Sequence, residues 1–476
     1  MIRGTAARTG IIIQGCTGSL YQVAIRIHIL STTSATKQTK TFTVCPGCDL
    51  LLHEIQPTPG HTVVCPRCHR RLHREQPDSI RRTLAIAASG MLLFLPANFL
   101  PLMNLAVLGR RTGSSLFTAS LSMFGQGQPF VGLIVLLTGF VFPLLTLSLL
   151  FWVSAGLFMG WKARWMPDFM RWYQHLSDWA MTDVYLIGVF VTIIKMNHTA
   201  DIHFNTGFFC FIGLVMLTVA AQASVDKPLF WELLEGKEKG RQLQEYSVST
   251  LARTGKEAGL VLCHTCHKTL PASLLAQQRR HHGNILCPRC GEIMHPRKQG
   301  SINRTWAFIC TAIILSLPAN LMPIMEVEFF GQSTTNTIMD GIIFFFQEGS
   351  YGIGLIILTA SILVPLFKIT GMILILLSIR YNWTSWLRHK SFMFRFIEFI
   401  GRWSMLDIFV IALLCALVQF GYISTISAAP AALYFTCVVL CTMFAAISFD
   451  LRLLWDTETT DRIPARQTIN SYPTSP

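Results

Sequence analysis

Leu95-Pro96-Ala97-Asn98, with Pro101 beyond it, returns 222 residues later as Leu317-Pro318-Ala319-Asn320 with Pro323. Pro143 returns as Pro365 at the same offset, and Trp179-x-Met181-x-Asp183 returns as Trp403-x-Met405-x-Asp407 at 224. Ser224-x-Asp226, with Trp231 five residues on, returns as Ser448-x-Asp450 with Trp455, also at 224. Chance does not hold such a register over so many positions. The chain reads as one unit written twice.

Each copy is apolar. Of 476 residues 51% are hydrophobic and 13% charged, against roughly 25% charged in soluble domains, which excludes an ordinary globular enzyme. About 20 apolar residues span a bilayer. The charge-free runs give eight spans: one ending near Met103, then 130–158, 179–196, 207–225, 306–325, 352–378, 403–420 and 431–449. Four spans per copy is an even number, so both copies share one orientation, with a pseudo-two-fold axis along the membrane normal. The balance of 39 Lys+Arg against 25 Asp+Glu is one-sided. Arg81, Arg82, Lys162, Arg164, Arg297, Lys298, Arg380, Arg388 and Arg452 fall in one set of connectors. The opposite set holds Arg110 and Arg111 and is otherwise acidic, with Glu326, Glu328, Asp340 and Glu348. By the positive-inside rule both termini and the central connector are cytoplasmic, and the basic excess belongs to loops, not to nucleic-acid binding. No segment reads as a cleavable signal peptide.

Eight of the 14 cysteines form two matched sets, each ahead of its copy's first span. One is Cys45-Pro-Gly-Cys48 with Cys65-Pro-Arg-Cys68; the other is Cys263-His-Thr-Cys266 with Cys287-Pro-Arg-Cys290. A two-residue step lets both thiolates of a knuckle reach one ion, and two knuckles complete a tetrahedron. The expectation is two structural zinc ions in cytoplasmic ribbons, where thiols stay reduced; redox pairs and iron–sulfur ligation are the rival readings. His53, His61, His69, His264, His267, His281 and His282 stand nearby and read as surface histidines. The domain expectation is a disordered tail over 1–40, zinc ribbon 41–76, four-helix membrane domain 77–232, linker 233–258, zinc ribbon 259–298, four-helix membrane domain 299–456, and a polar tail over 457–476.

Ionisable residues inside spans are costly and point to function. Asp183 and Asp407 are matched, each about five residues into its span; a carboxylate favoured by a helix N-terminus is the structural alternative. Lys368 is 12 residues from Arg380, roughly 18 Å along a helix, too deep to snorkel, and Asp407 is the partner expected for it. Lys195 lies near the outer end of its span. The repeat breaks at these lysines: Lys368 aligns with Thr146 and Lys195 with Gln419. Thr218 and Thr442 are matched and read as bonding back to their own helices. Prolines 96, 101, 143, 318, 323 and 365 read as kinks.

Two CxxC…CxxC ribbons, each followed by four spans, with LPAN-x-x-P and GRWSMLD at 401–407, resemble the paraquat-inducible protein A family (PqiA/LetA, YebS-like), and within it the LetA branch. The likeness runs from Cys45 to Trp455. It implies a multi-pass bacterial inner-membrane protein, distantly similar to tetraspanins in its membrane fold, that works with an MCE-domain partner forming a periplasmic tunnel. It also implies movement of phospholipid between membranes, and a polar cluster of Lys195, Ser361, Lys368, Asp407 and Thr442. Where the branch often has an acid shortly after the first of these lysines, this chain has His198.

The expectation is therefore a mostly α, twice-repeated membrane transporter that is not an enzyme. No GxxxxGK[ST] is present, so energy would come from protons, a partner or the lipid gradient. The rival is a zinc-bearing membrane scaffold or stress-responsive envelope protein without transport activity. A haem-bearing electron carrier is disfavoured because the spans offer no facing histidine pairs.

Overall fold

The computed structural model describes residues 42–53, 61–74, 76–107, 110–161, 163–196, 201–235, 252–273, 275, 285–329, 331–349, 351–420, 424–456 and 471–473. The expected tail 1–40, most of the linker, and His198, His281 and His282 lie outside these. Of the tail 457–476, Ser471–Pro473 is described, as a strand paired with His61–Val64.

Eight helices are long and apolar enough to cross a membrane: Ser79–Phe99, Pro129–Phe158, Met166–Met196, Thr206–Ser224, Ser301–Leu321, Gly354–Arg380, Leu387–Leu417 and Ala431–Ser448. The second and sixth are interrupted by π turns at Leu137–Val141 and Thr359–Leu363, 222 residues apart. Pro143 and Pro365 stand just beyond, at the start of the α-helical runs Phe142–Phe158 and Val364–Arg380. Proline has no N–H to give the carbonyl four residues back. The wider turn accommodates that missing donor without breaking the span.

Spans three and seven differ from expectation. Each begins with an amphipathic helix, Met166–Ser177 or Leu387–Gly401, and continues as an apolar one, Thr182–Met196 or Leu406–Leu417. The break falls just before Asp183 and Asp407, which occupy first turns of the apolar helices. There the helix macrodipole favours a negative charge.

At one end of the bundle lie two three-stranded antiparallel sheets that sequence reading did not anticipate. Met103–Val107 pairs with Arg110–Ser114 and Asp201–Phe204. Met325–Phe329 pairs with Gln332–Asn336 and Ser424–Ala428. A helix follows each hairpin, Leu116–Gly125 or Ile338–Gln347, started by a capping box at Ser115 or Thr337. At the other end, Ser79 donates to Ser224 O at 2.6 Å and accepts from Asp226 N at 3.0 Å. Ser301 repeats this with Ser448 O and Asp450 N, both at 2.9 Å.

One apolar core joins the two sets of spans. Tyr185 and Phe409, 224 residues apart, meet as tilted rings with centroids 4.7 Å apart, an arrangement worth about 0.5–1.5 kcal/mol beyond burial. Gly188 leaves room for it, since a Cβ there would stand 3.3 Å from Phe409 Cβ.

The cysteine modules dock crosswise. Cys45, Cys48, Leu52, Cys65 and Cys68 pack with Met372, Leu454 and Trp455 of the second half. Cys263, Cys266, Cys287 and Cys290 pack with Met170, Tyr173, Phe230 and Trp231 of the first. Matched arginines hold both contacts: Arg395 donates to Cys68 O at 3.0 Å and Arg171 to Cys290 O at 3.2 Å. Arg67 lies 4.6 Å over the Trp455 ring.

Candidate metal centres and a charged cluster between the spans

Each CxxC pair caps a tight turn. Phe42–Val44 and Leu51–His53 flank Cys45 and Cys48, while His61–Val64 and Arg71–Arg74 flank Cys65 and Cys68. Leu260–Leu262 and Thr269–Pro271 flank Cys263 and Cys266, and a Leu286–Ile293 bridge encloses Cys287 and Cys290. The residue after each second cysteine is left-handed: Asp49, His69, His267 and Gly291. That geometry turns the chain so both sulfurs face inward, and gives His69 and His267 a turn position instead of a ligand's.

In both groups all four sulfurs lie within 4.8 Å of one another. Cys45–Cys68 is 3.6 Å, and Cys48–Cys65, Cys263–Cys290 and Cys266–Cys287 are each 3.5 Å. A tetrahedron with metal–sulfur bonds of ~2.3 Å has sulfur–sulfur edges of ~3.8 Å, close to these. Gly47 N also donates to Cys45 Sγ at 3.4 Å. Burial pushes the Cys45 and Cys48 thiols well above their usual range, while hydrogen bonds from those two hold Cys65 and Cys68 down. Four buried sulfurs spaced close to the edges of one tetrahedron are a donor set that fits a single metal ion.

The modules are tied together by charge. Arg297 bridges Asp49 at 3.0 Å and Asp456 at 2.8 Å. Arg452, 2% exposed, pairs with Asp450 at 3.0 Å and donates to His264 Nε2 at 3.0 Å. Burial and the Arg452 charge push His264 down to about 4, so it is neutral and accepts. Glu235 pairs with Lys268 and, at 2.7 Å, with Arg289.

Between the spans, the expected direct pair of Lys368 and Asp407 does not form. Lys368 is 1% exposed, and its Nζ donates to Ser404 Oγ at 3.2 Å. Asp407 instead faces Ser361, in the sixth span's π turn, and the charge of Lys195. Its Oδ2 is buried without a hydrogen-bond partner. Lys195 Nζ sits 5.8 Å over the Phe345 ring. Thr442 is buried and bonds back to Val439 O at 2.8 Å, as expected. Asp183 holds the place matched to Asp407, but Gly139, Thr146, Ala180 and Gln419 stand where the cluster has Ser361, Lys368, Ser404 and a match for Lys195. The cluster is thus built from second-half residues plus Lys195 from the first. Sequence reading missed Ser404, although it lies inside the GRWSMLD stretch.

These features define a multi-pass membrane protein carrying two four-cysteine metal-binding modules. The profile of the family described as "Paraquat-inducible protein A" matches residues 80–235 and again 302–458, and the chain belongs to that family. It is 30% identical over 377 residues to "Intermembrane transport protein PqiA" of Escherichia coli K12, covering 79% of this chain and 86% of that one. It is 29% identical, with the same coverage, to a "Probable intermembrane transport protein" of Haemophilus influenzae. To the "Lipophilic envelope-spanning tunnel protein A" of Escherichia coli K12 it is 31% identical over 415 residues, covering 87% and 90%. No solved structure gives a significant match. The family is one of transport proteins.

Proposed function

We propose that this chain is the inner-membrane component of an intermembrane lipid-transport system, moving or loading phospholipid into a periplasmic tunnel formed by an MCE-domain partner. The observation that carries the reading is the one-sided cluster of Lys195, Ser361, Lys368, Ser404 and Asp407. A charge at the centre of a span costs on the order of 3 kcal/mol. A purely structural role would not need it in one half only. In this reading the two ammonium groups attract a headgroup phosphate and Asp407 exchanges a proton as lipid passes, with Asp183 and Thr442 as framework positions.

The metal in both modules is zinc, held by a closed four-sulfur shell that leaves no position for water, so it supports folding and not chemistry. Ribbons 41–76 and 259–298 serve membrane domains 77–232 and 299–456, which are tandem repeats of a distantly tetraspanin-like four-helix unit. Both termini and the ribbons face the cytoplasm, and the strand hairpins face outward, because the Lys/Arg excess lies at the ribbon end. The words "intermembrane" and "envelope-spanning" in the relatives' names support this setting.

Purification from a bacterial envelope, followed by lipid and protein mass spectrometry, tests the reading. Phospholipid and an MCE-domain protein should copurify above the level seen with an unrelated inner-membrane protein. Recovery of neither would contradict it.

A further inference from the structure

The first half has Thr146 where the second has Lys368. Beside Thr146 the chain leaves a cavity with room for about one water-sized particle, lined in part by Thr182, Thr218 and Ala180. Ala180 and Thr218 match Ser404 and Thr442, and Ser404 receives the Lys368 ammonium. The cavity therefore lies in the first half at the place the second half gives to a positive charge.

Its three threonine hydroxyls are all turned the same way; Tyr173 and Gln222 are the other polar residues in the lining. Thr146 Oγ1 donates to Pro143 O at 3.0 Å, and Thr218 Oγ1 donates to Val215 O at 2.8 Å. Thr182 Oγ1 lies 3.3 Å from Thr218 Oγ1. The Thr218 hydrogen is already committed, so Thr182 must be the donor in that contact. A hydroxyl has one hydrogen and two lone pairs, so all three oxygens retain lone-pair capacity with no hydrogen left to offer. All three residues are at least nine-tenths buried. Among the described residues no carboxylate lines the cavity, whereas divalent cations are held largely through carboxylates. Gln222, an exposed residue at the ribbon end of its span, marks the way in.

We propose that this cavity binds one monovalent alkali cation, sodium or potassium, through the neutral oxygens of Thr146, Thr182 and Thr218. The ion does in the first half what the tethered ammonium of Lys368 does in the second. One half carries its charge covalently, and the other takes it from solution.

The full chain in lipid nanodiscs is unfolded thermally in sodium, potassium or N-methyl-D-glucamine chloride at equal ionic strength. Sodium or potassium should raise Tm saturably by a few degrees over N-methyl-D-glucamine, which is too large to enter. Thr146→Val and Thr182→Val should lose the rise while keeping the wild-type Tm in N-methyl-D-glucamine. Thr146→Lys should supply the missing ammonium and unfold at one temperature in all three salts. Equal wild-type Tm in the three salts, the result for a cavity filled by water, overturns the proposal. So does a cation response that survives in both valine variants.

Discussion

Lys368 shows how far a residue's environment can be read from sequence. Counting residues to Arg380 puts it well inside its span, because rise per residue is fixed in a helix, and the structure finds it 1% exposed there. The count did not give the partner, because that depends on how the neighbouring helix is rotated and shifted. Ser404 lies in the 3-10 turn Arg402–Met405 and Asp407 in the helix that follows it, so they differ in depth by roughly 5 Å, and the ammonium meets Ser404. Asp450 is a second case. Burial would raise its carboxyl, but the Arg452 hydrogen bonds and charge, with the Lys298 N–H, hold it at about 2. A depressed carboxylate stabilises above its unfolded value of ~3.9, and that contribution is lost as pH falls from there through about 2. Near-UV circular dichroism, which sees the adjacent Trp455, should thus stay constant in mild acid and change only below about pH 4. Arg452→Met leaves Asp450 buried beside fewer partners and should cost about 3–5 kcal/mol in thermal unfolding; the double variant with Asp450→Asn should recover part of the loss.

Among elements, the cysteine turns were fully legible, since their chemistry is set by a two-residue step within one loop. The crosswise docking was not. Each module precedes one half in sequence and rests on the other, and matched surfaces such as Arg171 and Arg395 offer the same hydrogen bond to either module. Only the path of the connecting chain decides between them. The π turns were half legible: Pro143 and Pro365 announced kinks, but nothing local says that the compensation is a widened turn. The docking carries a paired prediction. A charged hydrogen bond to a carbonyl contributes about 1.5–3 kcal/mol, so Arg395→Ala should speed chelator extraction of metal from the Cys45–Cys68 site about tenfold or more. Arg171→Ala should do the same for the Cys263–Cys290 site alone. Metal release unchanged in both variants, or faster from the wrong module, would count against the swap.

For the whole molecule, the eight spans were readable because bilayer thickness acts on sequence directly. The hairpin sheets were missed: the alternation in Met325–Phe329 is short and set between longer apolar runs. Elemental analysis of purified protein should find two zinc ions per chain, and their removal should unfold the ribbons, which are too small to hold a core unaided. Iron with sulfide, or less than one zinc, would refute that assignment. The central claim is that lipid transport depends on charge placed in one half of a symmetric frame. It is tested most directly by envelope-barrier function in cells that depend on this chain, with Lys368→Met and Asp407→Asn expressed at wild-type level. Both variants should insert, hold two metals and retain their partner, yet fail to restore the barrier. Full restoration by both would contradict the account.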